Sequence, residues 1–247
     1  MEIHPSHVVN GAGQPRDERD ARPLQPMFLL ADSQLLFWKD QGAPFLERVR
    51  CAVARGAAPR AAYLGASNGD LRDYFELFVA AMEGIDIRDC RLIPSDPSPA
   101  DRAFFEQADV ILLAGGDVAR GFSSFQRNGL AERILARHAE GAVLIGISAG
   151  AIQLGQRGWI AGGASSFSTF QLVPWVVAAH DEPEWSALAE VVGAMEAAGR
   201  GIGIPSGGGA VVHADLTVEP VRKPLVQITA AGGALRRSLL LPGDGRP

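Results

Sequence analysis

Cysteine, charge of one sign and long apolar runs are all in short supply in this chain, and each shortage excludes something. Two cysteines, Cys51 and Cys90, cannot staple a fold, and they sit at no metal-ligand spacing. Both are expected to be small buried hydrophobes. Twenty-three Lys and Arg against twenty-eight Asp and Glu leave a formal charge of −5 with no charged block, which argues against nucleic acid as a partner. No apolar stretch reaches the roughly 18 residues of a membrane span. Met1 to Asn10 lacks the basic and apolar regions of a secretory signal, so the chain is read as cytoplasmic with no membrane partner. There is no H-E-x-x-H, no cysteine cluster and no G-x-G-x-x-G after the first strand. Neither a metal nor a cofactor is therefore expected.

What remains is an ordinary globular composition: 247 residues, 47% apolar and 21% charged. Residues 1–26 are polar, broken by glycine and proline, and read as a flexible N-terminal arm. Residues 27–247 read as a single domain. Strand and helix signals alternate from Met27 onward. Strands are expected at Met27–Ala31, Arg60–Gly65, Asp89–Ile93, Asp109–Ala114 and Ala142–Ile147. Helices are expected at Pro44–Ala54, after an Asp70 cap, from a Ser98 cap to Gln107, and at Leu130–Ala139. The face Tyr74, Leu77, Phe78, Ala81 and Met82 is expected to be the buried side of the second of these. Val118–Gly129 and Gly155–Thr169 read as loops that shape a pocket.

Apolar strands alternating with helices predict an α/β fold with a mostly parallel sheet and helices on both faces. Ligands then sit at the carboxyl ends of the strands. After Ser148 the pattern changes. A hairpin is expected near Gly158–Gly163 and a helix at Glu184–Ala198. Short strands follow at Ala210–His213, Thr217–Pro220, Leu225–Thr229 and Ala234–Leu240, giving antiparallel C-terminal additions.

The sharpest local pattern is Gly146-Ile147-Ser148-Ala149-Gly150, a G-x-S-x-G placed after a buried strand and before a helix. Serine in that turn projects Oγ into a cleft. The N–H of Ala149 lies at a helix start, where free donors favour an oxyanion. Gly115-Gly116-Asp117 ends the preceding strand and permits close backbone approach. Of the five histidines, His4 and His7 fall in the arm. His138 lies late on a helix, where a cation is favourable. His180, after the run Trp175 to Ala179, is the better base, and His213 is the other candidate.

Taken together, Gly115-Gly116-Asp117, Gly146 to Ala151, a strand ending in His180, and Gly201 to Gly207 resemble the dipeptidase E and cyanophycinase family of serine peptidases over about residues 27–220. The resemblance implies a flavodoxin-like fold of the class I glutamine amidotransferase type. It implies hydrolysis of a small peptide next to an acidic residue, through a Ser148 acyl-enzyme. It makes His180 the general base, Gly116 and Ala149 the oxyanion donors, and Gly115 and Asp117 part of the pocket. Two departures stand out. Where the dipeptidase branch has a glutamate orienting the histidine, this chain has Ser206, which leaves Asp181, Glu182, Glu184 and Ser206 itself as candidate partners of His180. Val118 and the acidic Asp181 to Glu184 replace the glutamine and basic cluster of cyanophycinases, which argues against cyanophycin as substrate.

Several polar residues are read first as structural. The segments Ala31-Asp32-Ser33-Gln34 and Gly65-Ala66-Ser67-Asn68-Gly69-Asp70 follow the first two strands and are expected to face the same cleft; their polar side chains could contact substrate, but helix capping is the first reading. Arg120 and Arg157 are close in sequence to the glycine turn and the Ser148 helix and could each bind an acidic substrate group, although a surface arginine is the default for both, and Gln153 faces either pocket or helix surface. Two other functions are open: a catalytically weak member that binds a peptide or protein as an accessory factor, and an α/β-hydrolase-type esterase using Ser148, Asp181 and His213. A homodimer is open as well.

Overall fold

The computed structural model describes residues 23–53, 58–160, 165–195, 199–232 and 234–243. The expected arm therefore lies outside the described residues except at its last four positions. Among the described residues no helix is long and apolar enough to cross a membrane.

A seven-stranded sheet forms the body. Its parallel part is β1 (Met27–Leu30), β4 (Arg60–Leu64), β5 (Asp89–Ile93), β6 (Val110–Leu113) and β7 (Val143–Ile147), in the spatial order β1-β7-β6-β4-β5. These are the five short apolar runs of the sequence. Every residue of β1 and β6 is buried, as a sheet covered on both faces requires. Alternation along the strands divides the core. Phe28 and Leu30 face α1 (Glu47–Ala52) and α2 (Arg72–Glu83), on which Val49, Phe78 and Met82 are buried. Met27 and Leu29 face the opposite layer of α3 (Pro99–Phe105), α4 (Val118–Arg127), α5 (Leu130–Ala139) and α6 (Ala149–Leu154). Burying a side chain such as Phe78 stabilises the fold by about 1.5–3 kcal/mol. Small hairpins, β2 (Lys39–Asp40) with β3 (Ala43–Pro44) and β8 (Arg157–Trp159) with β9 (Ser166–Ser168), decorate this body.

The C-terminal third completes the body and adds a second sheet. β12 (Gly209–Val212) and β13 (Val218–Val221) extend the main sheet antiparallel beyond β1. β10 (Val176–Ala179), β11 (Arg200–Ile204), β14 (Leu225–Ala231) and β15 (Ala234–Leu240) form a four-stranded sheet in that order, with β10 parallel to β11 and the rest antiparallel. Val177, Ala179 and Ile202 pack into the main core, while Val176, Ala178 and Val226 pack under α7 (Ser186–Gly193).

Several sequence expectations shift. Val118–Gly129 is largely helix, not loop. Gly121 and two serines weaken its propensity, yet Asp117 caps it, with Oδ1 accepting from the Arg120 N–H at 2.7 Å. Gly121 is required there, because a Cβ would meet Ser67 Oγ at 2.0 Å. Asp70 is not the cap of α2; Leu71 occupies that position, and Asp70, at φ 61°, accepts from the Ser95 N–H instead. The buried face of α2 runs through Phe75, Phe78, Ala81 and Met82, whereas Tyr74 and Leu77 are exposed. Pro44 belongs to a hairpin strand, and α1 starts later than expected. Ser98 does cap α3, in a reciprocal capping box with Asp101. The expected hairpin pairs residues 157–159 with 166–168; residues 161–164 lie outside the described residues, as do 196–198. Cys51 is exposed; it lies on the solvent side of the short α1. Cys90 is half-buried, and burial pushes its thiol up to about 11. His138 is buried, and burial holds its pKa below the usual value, so it is no surface cation at a helix end. Its Nδ1 lies 3.1 Å from the Ala142 carbonyl, to which it donates in the neutral ring.

Candidate active site

Ser148 stands between β7 and α6 at φ 49° and ψ −109°, a backbone state costly for any residue with a Cβ. Its surroundings fix that state. The Ser148 N–H donates to Leu30 O at 2.8 Å, and its carbonyl accepts from the Ile152 N–H at 3.0 Å. The glycines of the motif are steric requirements: a Cβ on Gly150 would meet Leu113 O at 2.1 Å, and one on Gly146 would meet Ala151 N at 2.6 Å. Packing thus places the serine in a turn it would not choose alone.

The Ser148 Oγ lies 2.7 Å from His180 Nε2. In the arrangement ready for reaction the hydroxyl donates and Nε2 accepts, so the ring proton resides on Nδ1. His180 follows β10, and its N–H donates to Ile204 O at 2.9 Å. His180 therefore comes from the end of the second sheet rather than from the main one. β10 and β11 run parallel to one another, so a strand end was legible, but which sheet it belonged to was not.

The Gly116 and Ala149 N–H groups have no backbone acceptor among the described residues. Gly116 has φ 129°, and a Cβ there would meet Ser67 O at 2.2 Å. That carbonyl is the hub of the glycine turn. It accepts from the Asp117 N–H at 2.8 Å, from Arg120 Nε at 3.1 Å and from an Arg120 terminal nitrogen. Gln153 braces the same loop from below. It faces neither pocket nor surface but is fully buried, and its Nε2 donates to Ser67 Oγ at 3.1 Å and to Val118 O at 3.0 Å. The sequence places Ser67 in a cleft-facing turn but gives no sign of its carbonyl's role, since a backbone carbonyl leaves no mark in side-chain identity.

A cavity of about 400 Å³ opens beside Ser148 and His180. Gly115, Gly116, Asp32, Ser33, Asn68 and Arg120 line it, along with a larger apolar set. Asp117 is not among its lining residues; it acts on the site as the α4 cap. Asp32 is a cap as expected, with Oδ1 accepting from the Gln34 N–H at 2.9 Å. Its Oδ2 also accepts from the Gly207 N–H at 2.6 Å, tying the end of β1 to the turn after β11. Asn68 Nδ2 donates to the Tyr63 hydroxyl at 2.7 Å. Burial pushes the Tyr63 phenol up to about 12 despite that bond, so it stays neutral. Arg157 lies on β8 and does not line the cavity.

The acids beside His180 separate clearly. Glu184 is exposed, and Asp181 turns a buried Oδ2 toward no partner among the described residues. Glu182 accepts from the Ser206 N–H at 2.9 Å. Burial would raise its pKa, but hydrogen bonds from the Ser206 backbone and side chain, and the nearby charge of His180, bring it below the usual carboxylate value. Ser206 thus holds an acid that comes from the neighbouring strand's turn. His213 does not reach this site. Leu30 pairs with both Gly209 and Ile147, and Met27 with Val212, so His213 lies past the opposite end of the strands from Ser148. It sits 3.1 Å from Glu219, which also binds Arg48. The esterase arrangement of Ser148, Asp181 and His213 is thereby excluded. No cluster of three or more potential metal ligands occurs among the described residues.

The family model for peptidase family S51 matches residues 28–218. Two solved structures are similar over nearly their whole length. One is a peptidase from an acI-B1 Actinobacterium, with TM-score 0.62 and 16% identity, covering 91% of this chain and 97% of that one. The other is a putative peptidase E protein from Listeria monocytogenes EGD-e, with TM-score 0.53 and 14% identity, covering 87% of this chain and 98% of that one. At such identities the likeness is one of fold. No curated protein matches the chain.

Proposed function

This chain belongs to peptidase family S51, and from that premise we propose that it hydrolyses small peptides through an acyl-enzyme on Ser148. The observation that carries the reading is the 2.7 Å contact between Ser148 Oγ and His180 Nε2, made at a strained turn that opens into a cavity. Ser148 Oγ attacks the scissile carbonyl carbon and passes its proton to His180 Nε2. Negative charge develops on the carbonyl oxygen, where the Gly116 and Ala149 N–H groups donate to it. The tetrahedral intermediate collapses, the C–N bond breaks, and the leaving amine takes the proton from Nε2. Water, deprotonated by His180, then hydrolyses the ester and frees Ser148.

Imidazolium forms transiently in both halves, and a fixed carboxylate nearby stabilises it. Glu182 supplies that charge. The Ser206 N–H fixes its carboxylate near His180, so Glu182 acts on the ring through its charge rather than by touching substrate.

The test is intact-mass labelling with a fluorophosphonate. A single adduct on the wild type, lost in both Ser148→Ala and His180→Ala, is the expected result. Folded wild-type protein that takes no label would overturn the reading.

A further inference from the structure

We propose that the cavity beside Ser148 receives an apolar or aromatic side chain of the residue whose carbonyl is attacked, rather than an acidic one. This deepens the reading of Ser148 as the nucleophile and rests on it. Leu71, at the N-cap of α2, and Tyr74 and Leu77, in its first two turns, recur every third residue along the flank of the buried face, and buried Phe78 lines the same cavity beside them. They are 52%, 50% and 42% exposed, three of the larger apolar side chains left open to solvent among the described residues. All three line the same cavity as Ser148, Gly116 and His180, together with Leu36 and Ile147. An uncovered stripe that meets the nucleophile in one cavity is a wall awaiting the substrate. The volume of about 400 Å³ lies at the small end of ligand cavities, which suits one bulky residue.

Of the charged lining residues, Asp32 points the same way. Asp32 already has both carboxylate oxygens engaged, by the Gln34 and Gly207 N–H groups, and it would repel a second carboxylate. Arg120 is the opposing feature: Nε and one terminal nitrogen donate to the Ser67 carbonyl, while the other terminal nitrogen makes no hydrogen bond among the described residues, so a carboxylate has this one cation to set against the apolar wall. An acidic side chain placed against the leucines would lose its hydration for little return, whereas a benzyl or isobutyl group gains about tenfold or more in binding from the same contact.

The test uses diphenyl aminoalkylphosphonates, which phosphonylate an active serine and carry a chosen side chain. Inactivation rates are measured for benzyl, isobutyl, methyl and carboxymethyl side chains. Each is divided by the rate with a small fluorophosphonate, so that changes in serine reactivity cancel. The wild type is expected to prefer benzyl and isobutyl over carboxymethyl by tenfold or more. Leu77→Arg is expected to shrink or invert that ratio, and Tyr74→Ala to lower the benzyl rate severalfold. Both positions are exposed, so folding is retained, and circular dichroism checks it. A carboxymethyl compound that reacts fastest, equal normalised rates, or a preference indifferent to both substitutions would overturn the proposal. Loss of all fluorophosphonate labelling is a separate outcome: it removes the nucleophile itself and takes this inference with it.

Discussion

Ser148 ends β7, which has a parallel strand on each side, while His180 ends β10, the edge of a smaller sheet with β11 as its strand partner. The serine turn is locked by backbone: Leu30 O takes its N–H, and two glycines press against Leu113 O and Ala151 N. The histidine is held by one backbone hydrogen bond to Ile204 and by the segment that follows it, anchored where Trp185 is buried against Gly203. Catalysis needs both regions in register to within a few tenths of an ångström. The comparison teaches that His180, not Ser148, is the part of the site most easily displaced.

The largest effect treats the two ends as one unit. Ser148→Ala and His180→Ala should each lower kcat/KM by a factor on the order of 10⁶, with unfolding midpoints unchanged. Peptide turnover kinetics and urea melts check both, and widely different losses would break the idea that they act together. Next come the two close-packed glycines. Gly150→Ala drives a Cβ into backbone and should cost more than about 3 kcal/mol or prevent folding. Gly203→Ala presses instead on the Trp185 ring, at 2.4 Å, and should leave a folded body while slowing fluorophosphonate labelling about 10- to 100-fold. Urea midpoints beside labelling rates separate the two.

A smaller effect belongs to the histidine end alone. Glu182→Gln should lower kcat about tenfold with KM nearly constant, since the exposed carboxylate is partly screened by water. Ser206→Ala should do less. Equal effects on kcat and KM would instead mark Glu182 as a substrate contact. The smallest effect is one of pH. His138 in the body has a folded pKa below its ordinary 6.5, because burial disfavours the charged ring. The unfolded chain therefore binds a proton first, and stability falls as pH drops from about 6.5 toward the lower folded value, by at most about 1.4 kcal/mol per pH unit. Glu182, with its pKa lowered, keeps its charge through that window. Urea unfolding at pH 7.5 and 5.5 should show a loss that His138→Gln reduces.

The alternating pattern and the G-x-S-x-G placed the body and Ser148 well, because both are local in sequence. The five parallel strands fall within a residue or so of their expected positions. The strands β10, β14 and β15 were legible too, but their assembly with β11 into a separate second sheet was not. β10 and β14 are short apolar strands like any others, and their partners are set by packing against α6 and α7. The phase of α2 was missed because Tyr74 and Leu77 are apolar enough to look like core, yet they face the cavity. The helix α4 was missed because glycine and serine hide a helix whose capping and packing override propensity. Glu182 stood among several acids, and only the bond from Ser206 singles it out.

The division of α2 into two faces carries a consequence for how such a protein changes over generations. Phe75, Phe78, Ala81 and Met82 hold the helix to the sheet, and Leu71, Tyr74 and Leu77 take no part in that attachment. Residues on the outer face can be exchanged one at a time while the helix stays seated and the reactive turn keeps its shape. A single codon there changes the wall of the cavity and leaves the scaffold that carries it in place.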